Sequence, residues 1–479
     1  MVSRLLSNPT IGRTIFNIIK GKAFKPYNVP VKAALEKQEE MLSRKFGRME
    51  GTEIGRRLGV RRGMKLEQVP VTDYSFYEDF FKKPPADAFM YPIDEYERVR
   101  TSGTSGSEKW FMIPRLTFVK CWKTGLATLM AMFHDGEKVT FDYGDLVYVN
   151  VAPRPFSSGH VLSYLEHETY NIIRLVPNIN LSFKDKVNFF IRNYRKVDGA
   201  VMLASTLISR VMPEIVGPIR LRGLLTLDSQ IAEIYKNEIE EFTGTPPRTI
   251  YATTETLNCT VPSVQHRLGL FFDWNRGIFE FHPVEGKENS IITPENLVPL
   301  NDVKVGEVYR LVFTSLEGEM TRYVINDSLL CVARGDDLLG TDFPVFRFQS
   351  RLEKNIALQN FTRISEEELL MAFKQCKVRF VDFTARIEVE NGLEHLAIYM
   401  EYTGNMSVEE IEECLHNYLY KVDRDYRDLV DFFDYVPVKV YFVPKGTFCR
   451  YMEIKEASWG KVERINMREE AFKEIVATC

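Results

Sequence analysis

The sequence predicts an α/β protein of two domains: a large N-terminal domain with a parallel-sheet core and an antiparallel β section, and a small α+β C-terminal domain. Three observations carry this. Between residues 140 and 255, short apolar runs alternate with helical segments, the pattern of parallel strands joined by crossover helices. From 269 to 350 the chain turns β-rich with period-two alternation. After 352 come two capping boxes and a hairpin signal, the mixed texture of a separate domain of roughly 125 residues.

The elements follow in order. Residues 1–35 hold no acid and six basic residues, Arg4, Arg13, Lys20, Lys22, Lys25 and Lys32. Pro9, Pro26 and Pro30 break this stretch into short pieces, which reads as a folded helical start rather than a transit peptide. A helical pattern runs over 31–58. The Val69-Pro70-Val71 segment is extended, because a residue before proline avoids the helical region. Strands are expected at 146–151, 200–204, 224–227 and 249–252, with helices running through Leu207 and Met212 and starting near Ser229. Ligands of such sheets sit in loops at the carboxyl ends of the strands. Gly277–Pro283 and 306–314 alternate as antiparallel strands. Ser365-x-x-Glu368 and Ser407-x-x-Glu410 each open a helix. Strands at 380–390 and 396–402 flank an Asn391-Gly392 turn, and a last strand is expected at 437–442.

Composition narrows the function. The chain has 479 residues, with 62 Lys+Arg against 66 Asp+Glu, a net charge of −4. Hydrophobic residues make up 45% and charged residues 27%, as in globular proteins. No basic excess supports nucleic-acid binding. No apolar run reaches about 18 residues, so no membrane span is expected, and the location expected is cytoplasmic. The seven cysteines, at 121, 259, 331, 376, 414, 449 and 479, form no C-x-x-C pair. Odd and dispersed, they read neither as a disulfide framework nor as a zinc site.

Four stretches carry chemistry. Thr101-Ser-Gly-Thr-Ser-Gly-Ser-Glu-Lys109 combines glycines, hydroxyls and a lysine, the parts of a phosphate-binding nest. It is not the Walker pattern, and a flexible linker is the bland reading. Tyr251-Ala-Thr-Thr-Glu255 ends a predicted parallel strand; its carboxylate suits Mg²⁺ and its hydroxyls suit phosphate. Thr321-Arg-Tyr-Val-Ile-Asn-Asp327 places an Asp after a buried strand, where it can accept from a ribose diol. Trp459-Gly-Lys461 sets a lysine on a C-terminal loop. Taken alone, an ordinary strand end, a turn and a solvated lysine explain the last three.

Taken in order, these stretches resemble the adenylate-forming superfamily, and within it the auxin-responsive acyl acid amido synthetases of plants and their prokaryotic relatives. Val69-Pro-Val-Thr-Asp-Tyr74 resembles the family's V-P-V-x-x-Y segment, 101–109 its S-S-G-T-S loop, and 251–255 its Y-x-S-S-E motif. Gly277–Pro283 resembles F-F-E-F-x-P, Arg322 to Asp327 resembles Y-R-x-G-D, and Phe346-Arg-Phe-Gln-Ser-Arg351 resembles the F-x-F-x-x-R before the hinge to the small domain. Asn326 stands where the family has glycine; asparagine tolerates left-handed backbone, so the same turn is expected. Glu463 stands where relatives often have proline, and Lys455 competes with Lys461 for the role of C-terminal lysine.

The resemblance implies an adenylation domain over 1–351 and a mobile domain over 352–479, hinged near 352–354. It implies ATP and Mg²⁺ as cofactors. Ser102, Gly103, Thr104, Ser105, Gly106 and Lys109 would cradle the β and γ phosphates. Thr254 would bind the α-phosphate, Glu255 the Mg²⁺, and Tyr251 the adenine. Asp327 would take the ribose, with Arg351 nearby. Lys461 would bridge the acyl carboxylate and the α-phosphate. The implied partners are a carboxylic acid and an amino acid or other amine. An acyl–CoA ligase is the rival enzyme, and a nucleotide-binding protein that has lost catalysis is the rival class. The acyl pocket would be lined from 151–160, 204–211 and 226–229, where apolar and aromatic residues suit an aromatic or alicyclic acid. His160 is read as a packing residue.

Overall fold

The computed structural model describes residues 9–100, 109–170, 172–284, 292–351, 355–358, 362–390, 393–454, 462–467 and 469–477. The described residues up to 348 form one compact unit, and those from 349 a second.

The first unit begins with the helix Pro9–Lys20. The helical pattern beyond it divides into Val31–Met49 and Glu53–Leu58, because Thr52 accepts from the Gly55 N–H at 3.0 Å and starts a new helix. Gly59 ends that helix in the left-handed conformation, φ 69°. The strands Tyr96–Arg100 and Trp110–Pro114 pair antiparallel, and the helix Arg115–Met132 follows, nearly all of its second half buried.

A five-stranded parallel sheet stands behind it, in the order Arg174–Val176, Leu146–Val149, Gly199–Met202, Gly223–Thr226, Arg248–Thr249. The three-residue edge strand 174–176 was too short to stand out in the sequence. The fourth expected strand, 249–252, is corrected: the sheet strand stops at Thr249. Beyond it, Thr260 captures Tyr251. Its Oγ1 accepts from the Tyr251 N–H at 2.9 Å and donates to the Tyr251 carbonyl at 2.8 Å. The helix expected through Leu207 and Met212 is also irregular. A short helix, Ala204–Thr206, runs into a π-helical turn, Leu207–Val211, and a 3₁₀ turn at Met212–Glu214. Pro213 supplies no N–H there to continue a regular ladder.

The seven-stranded antiparallel sheet runs Thr260–Pro262, Leu270–Phe272, Thr341–Arg351, Tyr323–Asp336, Val308–Ser315, Gly277–Pro283, Val298–Pro299. Phe272, Phe279, Phe281 and Phe346 pack under it; the last two rings stack at 4.9 Å. Each such buried ring contributes about 1.5–3 kcal/mol of transfer energy.

The second unit holds the hairpin Asn355–Leu358 with Thr362–Ser365, the helix Glu366–Gln375, and a three-stranded sheet. Phe380–Glu390 and Leu393–Tyr402 pair antiparallel, and Val438–Phe442 adds in parallel. Both capping boxes are formed. The Asn391-Gly392 turn lies outside the described residues. The cysteine reading needs a correction: Cys376, just after the first of these helices, and Cys414, inside the helix Val408–Val422, form a disulfide with Cα atoms 5.8 Å apart. A separation of 38 residues hid a proximity that helix packing creates.

Candidate functional site

The site grows from a tight hairpin. Ala252–Thr253 pairs with Leu257–Asn258, so Thr254, Glu255 and Thr256 form its turn. Hydroxyls knot this turn: the Thr253 and Thr256 Oγ1 atoms lie 3.1 Å apart, and the Thr256 N–H donates to Thr253 Oγ1 at 3.2 Å. Leu257 closes it in the left-handed region, φ 56°. Thr254 and Glu255 are half-buried.

Glu255 sits among charges drawn from distant parts of the chain. Burial pushes its carboxyl above the usual range, and Asp327 adds to the rise. Hydrogen bonds from its own backbone and from Thr253, and the positive charge of Lys109, oppose it. Lys109 lies over the Tyr74 ring, 5.2 Å from the centroid. The Tyr323 hydroxyl is held far above its usual pKa, by burial first and by Glu255 next. Lys109, Tyr323 and Asp327, spread over more than 200 positions, thus each interact with Glu255.

Asp327 departs from the reading of an Asp after a strand. It lies inside the strand Tyr323–Asp336, at a bulge: Leu311 pairs with Ile325 but Arg310 pairs with Ser328, so Asn326 and Asp327 are the inserted residues. Asn326 is not in the left-handed region; the strained residue is Arg322, φ 47°. The Tyr251 hydroxyl donates to Asp327 Oδ2 at 2.8 Å. The Tyr251 ring is 5% exposed and stacks on Phe348, centroids 6.1 Å apart.

The V-P-V segment braces this strand. The Thr72 N–H donates to the Arg322 carbonyl at 2.9 Å, and the Val324 N–H to the Thr72 carbonyl at 2.8 Å. The Arg322 guanidinium, fully buried, makes a two-pronged bond to Glu280 at 3.0 and 2.8 Å and donates to the Val69 carbonyl at 2.9 Å. Asp73 then caps the helix Tyr74–Lys82, accepting from the Ser75 N–H at 2.9 Å, and so sets Tyr74 beneath Lys109.

Ser102, Gly103, Thr104, Ser105, Gly106, Lys455 and Lys461 lie outside the described residues. Arg351 ends the strand Thr341–Arg351. Tyr323 escaped the sequence reading, although it stands inside one of the motifs. Arg276 and Glu319, buried close to Glu255, also escaped it; neither stands in any of the motifs. His160 is 4% exposed and packs on Phe118, 5.2 Å between ring centroids, with Nδ1 3.8 Å from Glu97 Oε2. Among the described residues, no group of three His, Cys, Asp or Glu could hold a metal, and no helix is long and apolar enough to cross a membrane.

Residues 270–351, which include Glu280, Arg322 and Asp327, match the GH3 family central domain. Over 147 residues the chain is 30% identical to jasmonoyl–L-amino acid synthetase JAR6 of Nicotiana attenuata, a match covering 29% of this chain and 24% of that protein. Over 194 residues it is 25% identical to indole-3-acetic acid-amido synthetase GH3.10 of Arabidopsis thaliana, covering 36% and 31%. The match thus spans about a quarter to a third of the length of these curated relatives. Among solved structures, the GH3.15 acyl acid amido synthetase in complex with 2,4-DB superposes with a TM-score of 0.71 at 18% identity, over 96% of this chain and 95% of that one. A 2-hydroxyisobutyryl-CoA ligase in the postadenylation state gives 0.61 at 18% identity, over 93% and 91%. At such identities these two establish the fold alone. The chain thus carries a segment that matches the GH3 family central domain, on a fold it shares with the GH3.15 acyl acid amido synthetase.

Proposed function

We propose that the chain is an ATP-dependent acyl acid amido synthetase, with an adenylation domain over 1–351 and a mobile domain over 352–479. The observation that carries the reading is the convergence of Lys109, Glu255 and Asp327 at a hydroxyl-rich turn in the first unit. The names of the curated relatives, a jasmonoyl–L-amino acid synthetase and an indole-3-acetic acid-amido synthetase, agree with it.

A carboxylate is a poor electrophile because hydroxide leaves poorly. Attack of the acid's oxygen on the α-phosphate of ATP forms an acyl-adenylate and expels pyrophosphate. The amine nitrogen then bonds to the acyl carbon, AMP departs with the C–O bonding pair, and the amine loses a proton. The protein has to neutralise phosphate charge and align the attacking oxygen. Ser102, Gly103, Thr104, Ser105, Gly106 and Lys109 would hold the β and γ phosphates, and Thr254 the α-phosphate. Tyr251, whose hydroxyl donates to Asp327, would border the base, and Asp327 and Arg351 would serve the ribose. Mg²⁺ fits Glu255: a half-buried carboxylate with a raised pKa gains from a cation, and this ion binds commonly through one carboxylate plus substrate phosphates. Bound there, it would screen the phosphate charge. Lys461, or its competitor Lys455, would meet the charge that migrates in the transition state. The segments 151–160, 204–211 and 226–229 follow the carboxyl ends of three adjacent parallel strands, a position that suits the acyl pocket. An aromatic or alicyclic acid is the class proposed.

The test is a pyrophosphate-release screen over a panel of carboxylic acids, followed by amino acids, amines and coenzyme A as acceptors. Acid-dependent release followed by amide formation is expected. No release with any acid would overturn adenylation, and a thioester product would overturn the amide assignment. Lys461→Ala is expected to slow adenylation on the order of 10²–10³-fold while sparing conjugation of a supplied acyl-adenylate. Equal loss in both half-reactions would remove that role.

A further inference from the structure

Bordered by Glu255 lies a small cavity with room for about one water molecule. Met112, Ile113 and Phe313 give it apolar wall; Thr117, Glu255, Arg276 and Glu319 give it polar wall. Arg276 is 3% exposed, Glu319 2% and Thr117 6%. Arg276 Nε and Nη1, Glu319 Oε2 and Thr117 Oγ1 are buried and bond to no protein atom among the described residues.

The surroundings make this arrangement specific. Glu319 is anchored by its other oxygen, Oε1, which accepts from the Met90 N–H at 2.9 Å and the Tyr96 hydroxyl at 2.5 Å. Its Oε2 is thereby held in place without a partner. The carboxylate oxygen paired with Arg276 Nη1, Glu317 Oε2, is 3.9 Å away, beyond hydrogen-bond reach. Arg276, Glu319, Thr117 and Glu255, the first three carrying unpartnered buried polar atoms, therefore border a space the size of one water. An internal water makes typically about three hydrogen bonds, and these residues supply donors and acceptors enough for that. A bulkier ligand does not fit, and a bare cation would face the Arg276 guanidinium.

We propose that this cavity is a built site for one ordered water, which accepts from Arg276 and Thr117 and donates to Glu319 and Glu255, and that Arg276, Thr117 and Glu319 are positioning residues for Glu255 through it. The proposal rests on the reading of Glu255 as the Mg²⁺ ligand. Partners behind a metal ligand set its orientation, and losing one typically weakens the metal by about 10–100-fold.

The test uses the full chain and two conservative variants. Thr117→Val keeps volume and removes the hydroxyl; Glu319→Gln keeps an acceptor for Met90 and Tyr96 and turns the free oxygen into a donor. A high-resolution crystal structure of the wild type is expected to show a solvent peak within about 3.2 Å of Arg276 Nη1 and Glu319 Oε2. Mn²⁺ binding, read by paramagnetic resonance with ATP present, is expected to weaken about tenfold in Glu319→Gln. Thr117→Val is expected to weaken it in the same direction, with KM for the acid unchanged in both. An empty cavity, or a direct Arg276–Glu319 bond, would overturn the water site. Unchanged Mn²⁺ affinity in both variants would overturn the positioning role. A wild type that keeps the solvent peak but releases pyrophosphate with no acid would instead overturn the reading of the enzyme.

Discussion

Arg322 has the largest side chain with no exposed surface, and its only carboxylate contact among the described residues is Glu280. Burial pushes the Glu280 carboxyl up while Arg322 pulls it down. A buried pair of this kind is weak evidence of net stabilisation, but losing one partner strands the other charge. Glu280→Gln is therefore expected to lower the unfolding free energy by about 3–5 kcal/mol in a denaturant titration. A change below 1 kcal/mol would mean that the Val69 carbonyl and its neighbours satisfy the guanidinium alone. His160 makes the pH case. Burial, then the Arg154 charge, push its pKa from 6.5 down to about 4, against the pull of Glu97. Between these values the unfolded chain binds a proton that the folded chain refuses, so stability rises with pH across this window and is lost as pH falls through it. The loss should reach about 3 kcal/mol by pH 4. His160→Phe, which preserves the stack on Phe118, is expected to flatten that part of the stability profile. An unaltered slope would reassign it to other groups.

Elements differ in how far their causes lie along the chain, and that decides what the sequence reveals. The boxes at Ser365/Glu368 and Ser407/Glu410 close within four residues, and both were legible. The Glu410 N–H donates to Ser407 Oγ at 3.2 Å, and Glu410 Oε2 accepts from the Ser407 N–H at 2.7 Å. Ser407→Ala is expected to cost about 1 kcal/mol, seen as a lower melting transition. Parallel strands at 146–149, 199–202 and 223–226 were legible because their apolar runs sit at crossover spacing. The end of the fourth strand was not, since Thr260 decides it from nine residues away. The bulge at Asn326 and Asp327 was hidden for a similar reason: it is a register relation to Arg310 and Leu311, invisible in 321–327 alone. Lys109, Glu255 and Asp327 were singled out through ordered motifs, and the structure brings the charges of Lys109 and Asp327 to bear on Glu255. Arg276 and Glu319 belong to no motif and show their relation to Glu255 only when the sheets are assembled.

The division of the chain into two compact units gives its stability two addresses. In the first, the Arg322–Glu280 pair and the aromatic layer under the antiparallel sheet hold the strand that carries Asp327. In the second, Cys376–Cys414 ties the end of one helix to the middle of the next across 38 residues, while Arg464 reaches Asp382 at 2.7 Å and Glu366 at 3.0 Å. A crosslink restricts the unfolded chain more than the folded one; for a loop of this length the gain is about 3–4 kcal/mol in the chain-entropy model. For a unit of this size that corresponds to roughly 10 °C. Calorimetry with and without a thiol reductant is therefore expected to lower one transition by that amount, and it should be the same transition that Ser407→Ala lowers. The transition lowered by Glu280→Gln should stay where it is. Cys376→Ser in the absence of reductant should reproduce the shift, and reductant should then add nothing. If reductant moves neither transition, the crosslink contributes no stability. If it moves both together, the two units unfold as one.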